Sequence, residues 1–191
     1  MAFAGFGRRQ QEADFVAYYE ARAAAVRRTA YVLCGDWHLA EDLTQIVFTK
    51  LYRAWHRLER HDTLERYVRQ VLLRAFLDDQ RRPWRRESVT TPDSPILDTA
   101  APERHGSDER DVLLRALARI APRRRAVLVL RYWEDLSIDQ VAELLGCSAG
   151  TVRSQASRGL TDLRAALATE EMAAMAGPAD LAAVPGRGAA R

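Results

Sequence analysis

Residues 136–164, LSIDQVAELLGCSAGTVRSQASRGLTDLR, read as two amphipathic helices joined by a glycine-centred turn. Ser137 stands where an N-cap hydroxyl belongs, and Ile138, Val141, Ala142 and Leu145 follow on one 3.6-residue stripe. Gly146 supplies the left-handed conformation that a sharp helix exit requires. Ser148 caps a second helix, whose Ala149, Val152, Ala156, Leu160, Leu163 and Leu167 fall in a sector of roughly 80° on a wheel of about 100° per residue. The opposite face carries Thr151, Ser154 and Arg158, flanked by Arg153 and Ser157, and no acid lies between Gly146 and Thr161. Short hydroxyls let the helix approach a partner closely, and guanidiniums pair with guanine edges or phosphates, so this face fits a DNA major groove. A helical hairpin whose polar side is merely solvated would mix charge signs there.

Two shorter helical patterns precede this element. Val112, Leu113, Ala116, Leu117 and Ile120 form the inner side of one helix, which Pro122 ends and restarts. The next runs from Arg123 to about Trp133, with Val127, Leu128 and Leu130 inside. Both would buttress the helix-turn-helix. Upstream, ESVTTPDSPILDTAAPERHGSD (87–108) concentrates Pro, Ser, Thr, Gly and acids without periodicity and reads as a flexible linker.

A second helical block lies before the linker. Asp14 is placed to cap a helix that buries Phe15, Tyr19, Val26, Ala30 and Leu33 and ends at Gly35. A helix from about Leu39 to Arg57 has Leu43, Val47, Leu51 and Ala54 as its inner stripe. Its other side holds Glu41, Gln45, Phe48 and Tyr52, which is either a partner surface or a seam against the first helix. The polar loop LERHDTL (58–64) leads to a third helix, for which Asp62 and Glu65 suit a capping box. Leu64, Val68, Val71, Leu72 and Ala75 form its inner side; Arg66, Gln70, Arg74 and Arg81 line the other, and Arg82, Arg85 and Arg86 continue the charge. A face this basic suits phosphates.

Composition agrees with two small domains in a 191-residue chain that is 48% hydrophobic and 29% charged. Neither block shows alternating strand patterns or a long repeat, so the fold class is all-α: two small helical domains joined by a flexible acidic linker. The domains are expected at 11–86 and 109–168, with the linker at 87–108 and a disordered tail at 169–191. The net charge is +3, but it is unevenly placed: 16 basic against 11 acidic side chains in 1–86, 1 against 6 in 87–109, and 12 against 9 in 110–191. Two basic blocks flanking an acidic one suit a polyanionic partner. No run of about 18 apolar residues exists, and the N-terminus lacks a signal-peptide pattern, so a cytoplasmic location is expected. Cys34 and Cys147 lie far apart in helical patterns with no ligand cluster nearby, which reads as packed thiols.

The polar pairs offer little chemistry. Asp78 with Asp79, and Glu41 with Asp42, point about 100° apart on a helix, and His38, His56, His61 and His105 show no i, i+4 metal spacing with a second ligand. No catalytic centre, metal or cofactor is expected. A second class is a conventional helix-turn-helix regulator whose N-terminal block senses a ligand or dimerises; it would bind its operator alone.

AEDLTQIVFTKLYRAW (40–55) and APRRRAVLVLRYWEDLSIDQVAELLGCSAGTVRSQASRGLTDLR (121–164), in this order and bridged by a short linker, resemble the extracytoplasmic-function group of bacterial sigma factors, in wording similar to actinobacterial members. The match spans about Asp14 to Leu167. The resemblance implies that the first block is sigma region 2, a bundle of three to four helices that holds RNA polymerase and reads the minus-ten element. The second would be sigma region 4, four helices ending in the helix-turn-helix that reads the minus-thirty-five element. Carried over by position, Glu41, Asp42, Gln45, Phe48 and Tyr52 would dock on the polymerase clamp helices. The loop with Arg60, His61 and Asp62 would hold a base flipped from the minus-ten element, with Arg66, Tyr67, Arg69, Arg74, Arg81 and Arg82 along the melting strand. Ser148, Gly150, Thr151, Arg153, Ser154, Ser157 and Arg158 match the upstream-element contacts. The implied partners are the polymerase core, through its beta-prime clamp and beta subunit, promoter DNA, and an anti-sigma factor as a further candidate; no membrane and no small-molecule substrate is implied. Arg74 stands where many members have asparagine, and Tyr67 where tryptophan is usual, so the resemblance bears on activity more than on promoter sequence.

Overall fold

The computed structural model describes residues 3–58, 61–81 and 108–176, and within them the elements are helical, without a strand. The first block holds α1 (Phe3–Cys34), α2 (Trp37–Ala54), a 3-10 turn at Trp55–Arg57 and α3 (His61–Asp79). The second holds α4 (Asp108–Ala118), α5 (Pro122–Leu128) running into a π-helical turn at Val129–Trp133, α6 (Ile138–Leu145) and α7 (Ala149–Ala176). The linker residues 87–107 and the tail beyond 176 lie outside the described residues.

α1 begins well before Asp14, which is therefore no N-cap; its carboxylate instead accepts from Gln10 Nε2 at 2.9 Å. Thirty-two residues rich in Ala and Arg carry enough intrinsic helix preference to run through a single capping-type residue. Gly35 stops the helix at φ +73°, its N–H returning to Tyr31 O. Asp36 then caps α2, accepting from Leu39 N at 2.9 Å, a cap that the apolar spacing did not single out. Leu43, Val47 and Leu51 are fully buried between α1 and α3, as their spacing requires. Each such side chain contributes about 1.5–3 kcal/mol relative to exposure.

In α3, Leu64, Val68, Val71 and Leu72 are buried as expected, and Leu73 and Phe76 join them. The helix starts at His61, so the polar loop is shorter than 58–64 and Asp62 lies inside the first turn. In α4 the inner leucine is Leu114 and not Leu113, which is largely exposed. Pro122 occupies the first turn of α5, where a missing N–H costs no hydrogen bond. The π turn widens the helix end, and Asp135 follows at φ +50° before Leu136 N returns to Leu130 O.

The helix-turn-helix forms as the local residues dictate. Ser137 and Gln140 make a reciprocal capping box, Gln140 N donating to Ser137 Oγ at 3.2 Å and Ser137 N to Gln140 Oε1 at 2.8 Å. Gly146 exits α6 at φ +61°. Replacing Ser137 by Ala should destabilise the second block by about 1 kcal/mol, read as a lower urea midpoint at unchanged slope. α7 runs eight residues past the expected domain end at 168. Glu170, nearly buried, explains the extension: Arg115 Nε (2.8 Å) of α4 and Arg119 Nη2 (2.7 Å), just past its end, reach it.

The two blocks are packed against each other through α1 and α3 on one side and α4, α5, the π turn and α6 on the other. At the centre sits Arg125, a nearly buried guanidinium that donates to three backbone carbonyls. Its Nη1 donates to Leu33 O at 2.9 Å in the last turn of α1, and its Nη2 donates to Ala118 O and Ile120 O at the end of α4. Carbonyls at helix C-termini lack intrahelical donors and carry partial negative charge, so one cation serves two helix ends. The ring of Phe76, fully buried, lies under the guanidinium with its centroid 5.9 Å from Cζ. Burial pushes the Arg125 pKa down to about 10, against which Cys34 acts in the opposite sense, so the group stays charged at neutral pH.

Candidate nucleic-acid and polymerase interfaces

The second helix of the helix-turn-helix presents its polar side to solvent. Ser148, Gly150, Thr151, Arg153, Ser154, Ser157 and Arg158 are all exposed. Ser148 Oγ accepts from Thr151 N at 3.1 Å and shares a hydrogen bond with Thr151 Oγ1, which fixes the first turn of α7. The buried side is set by Val152, fully enclosed, and by Gly159, which sequence spacing passed over. A Cβ on Gly159 would lie 3.1–3.3 Å from the branched end of Leu128, so glycine lets α7 ride close on α5. The available signal was a glycine inside an otherwise strong helical pattern, which often marks close packing.

The basic face of α3 is divided. Arg66, Arg74 and Arg81 are exposed, whereas Tyr67 and Arg69 are partly covered, with Tyr67 Oη 3.4 Å from Lys50 O. Arg60 and Arg82 lie outside the described residues, and His61 and Asp62 open α3 without described side chains. Arg74 and Arg81 line a groove of about 460 Å³ closed on its far side by Ala121–Arg123 and the end of α6.

Arg69 belongs to a chain of polar bonds that crosses the two blocks. Tyr18 Oη donates to Glu65 at 3.0 Å, Arg22 pairs with the same carboxylate, and Arg69 Nη2 lies 3.8 Å from it. Burial first, and then the Glu65 charge, push the Tyr18 pKa up to about 12. Arg69 Nε donates to Glu134 Oε2 at 3.0 Å, Thr29 Oγ1 donates to Glu134 Oε1 at 2.6 Å, and Trp133 Nε1 donates to Thr29 at 3.3 Å. Glu134 from the second block is thus gripped by both α1 and α3.

On α2, Glu41, Asp42 and Gln45 are exposed, with Arg27 Nη1 3.5 Å from Glu41. The two aromatics beside them differ. Phe48 is 5% exposed and packs edge-on against Tyr19 of α1 at 4.8 Å, so its ring is mainly core. Tyr52 meets Phe15 at 5.0 Å yet remains 52% exposed. Together with Gln45 they border an open groove of about 390 Å³ along the α1–α2 seam. No helix among the described residues is long and apolar enough to cross a membrane, and among them no group of three His, Cys, Asp or Glu could hold a metal.

A capped helix-turn-helix with an acid-free, arginine-bearing outer face, behind a helical block with a basic third helix, defines a two-domain helical DNA-binding protein. Comparison with known proteins gives the family. Sigma-70 region 2 matches residues 18–86, and sigma-70 region 4 matches residues 110–163. The chain is 35% identical to the RNA polymerase sigma-E factor of Streptomyces coelicolor over 170 residues, covering 85% of this chain and 91% of that protein. It is 32% identical to the ECF RNA polymerase sigma factor SigL of Mycobacterium tuberculosis over 157 residues, covering 79% and 87%. In fold it resembles the sigma factor RpoE from Bartonella quintana, crystallised with the anti-sigma factor NepR, at a TM-score of 0.65 and 23% identity over 81% of this chain and 96% of that one. The chain belongs to the extracytoplasmic-function group of the sigma-70 family of RNA polymerase sigma factors.

Proposed function

We propose that this sigma factor is a dissociable, non-enzymatic initiation subunit that acts in the cytoplasm, binds core RNA polymerase through the α2 face and directs it to two promoter elements. In this reading the outer face of α7 enters the major groove at the upstream element, and α3 with the turn before it engages the minus-ten strand. The observation that carries it is the acid-free, exposed polar face from Ser148 to Arg158 on a helix anchored by Val152 and Gly159. Phosphate contacts by the arginines would give affinity and register, and hydroxyl and guanidinium contacts to base edges would give sequence preference.

The α2 face would meet the beta-prime clamp helices through Glu41, Asp42, Gln45 and Tyr52, with Phe48 stiffening the seam beneath them, and the beta subunit would hold region 4. Gln45→Ala should weaken core binding by about 1 kcal/mol or more while leaving the thermal transition unchanged, since the side chain is exposed. Unchanged affinity for core in a fluorescence titration would count against this assignment. An anti-sigma factor is a further candidate partner.

A mobility-shift assay on a cognate promoter, with and without core polymerase, tests the whole reading. A sigma factor is expected to give a specific complex only when core is present. Tight specific binding by the chain alone would favour a conventional helix-turn-helix regulator.

A further inference from the structure

The outer face of α7 is free of acids only as far as Thr161; the next residue, Asp162, is a carboxylate four places after Arg158. On an α-helix that spacing sets the two side chains about 40° apart around the axis and about 6 Å along it, within reach of each other. A carboxylate takes a guanidinium through the same nitrogens that grip a guanine edge. Left to itself, Asp162 would compete with DNA for Arg158 and would repel the phosphates beside it. In the structure it is turned elsewhere. Arg124 Nη1 of α5 donates to Asp162 Oδ2 at 2.6 Å, and among the described residues Arg158 enters no ion pair.

The fold holds Arg124 where it can do this. It precedes Arg125, whose guanidinium is tied to three backbone carbonyls and fixes the first turn of α5. One turn further on, Leu128 of α5 meets Gly159 of α7, the closest approach of the two helices around this pair. Arg124 and Leu128 are four residues apart on α5, and Gly159 and Asp162 three apart on α7, so the apolar contact and the ion pair lie along one seam. With side chains 32% and 37% exposed, the pair adds little to stability, and its value lies in where it puts the charge. We infer that Arg124 is a positioning residue for recognition of the upstream element: by holding the Asp162 carboxylate against α5, it leaves the Arg158 guanidinium free for a base edge. The inference rests on the reading of Arg158 as a DNA contact, and it requires no contact between Arg124 and DNA.

The test uses holoenzyme reconstituted from the full chain and core polymerase, at sub-saturating concentration. Its template is a promoter mapped from the transcripts that this holoenzyme starts on genomic DNA, with each upstream base pair substituted in turn. Arg124→Met is expected to lower transcription about two- to fivefold, a smaller loss than that of Arg158→Ala, and to relax the preference at the same base pair. Asp162→Asn alone should transcribe at least as well as the unsubstituted chain. In the double variant Arg124→Met/Asp162→Asn the competing acid is gone, so transcription and base preference should return to the Asp162→Asn level. A pair that served structure alone would not be repaired by the loss of its second member. Circular dichroism checks the fold of each variant, and if Arg124→Met unfolds, Arg124→Gln in the same cycle decides. A double variant as weak as Arg124→Met would overturn the inference and make Arg124 a phosphate contact. Unchanged transcription in Arg124→Met beside an impaired Arg158→Ala would overturn it alone. Unchanged transcription and base preference in Arg158→Ala would bring it down together with the reading it rests on.

Discussion

Phe76→Ala is expected to lower the stability of the protein by about 3–5 kcal/mol, the largest single effect foreseen. The ring is fully buried and faces Arg125 across the seam. Truncation leaves a cavity in a packed core and removes the aromatic face beside a guanidinium already deprived of water. A small helical domain has only about 5–15 kcal/mol in total, so the variant should unfold at much lower urea and carry a large unfolded fraction at 37 °C. The check is an equilibrium urea titration followed by circular dichroism. A loss below about 1 kcal/mol would mean that the seam repacks and that Phe76 is not a keystone of region 2.

Arg158→Ala should weaken promoter use by about 1–3 kcal/mol if the side chain grips a guanine edge with both nitrogens. The residue is exposed on the outer face of α7, one turn beyond Ser154, and it is not needed for the core. Removal should therefore leave the melting temperature in place while relaxing the preference at one base pair of the upstream element. If Arg158 touches phosphate instead, the loss should be smaller, equal across promoter sequences, and accompanied by a salt slope reduced by about 1. Transcription from a panel of promoters substituted in the upstream element, run at two salt concentrations, separates these cases. Normal transcription with normal upstream-base preference would remove Arg158 from the interface.

Legibility in the sequence followed the range of the interactions. The helix-turn-helix was readable because each of its signals acts within four residues: Ser137 with Gln140, Gly146 at positive φ, Ser148 with Thr151. The α2 stripe was equally plain because burial repeats with the helical period. Features set by distant residues were not readable. Arg125 looks like one of three consecutive surface arginines, yet its acceptors include a carbonyl 92 positions away. α7 reaches beyond Thr169 because Glu170 pairs with α4, some 50 residues back. For Phe48 the spacing left two readings open, a partner surface or a seam against α1, and only the packing of Tyr19 over the ring decides for the seam. Leu113 and Leu114 are neighbours, and the packing of α4 against α7 and α1 decides which faces inward.

The candidate sites show the same split. Family resemblance and charge pattern mark the α7 face, and the structure leaves every member of it exposed. On α3 the same reasoning names the arginines but has no means of showing that Arg66 and Arg69 already hold carboxylates of the second block. Those pairings arise from tertiary packing between residues 65 or more positions apart.

The most direct test of the central claim is the affinity of the purified, unlabelled chain for core RNA polymerase of an actinobacterium, measured by competition against a labelled sigma factor. The account predicts displacement at sub-micromolar concentration, with promoter-specific transcripts appearing when the displaced holoenzyme is given DNA. No displacement at any accessible concentration, by a chain that remains folded, would contradict it.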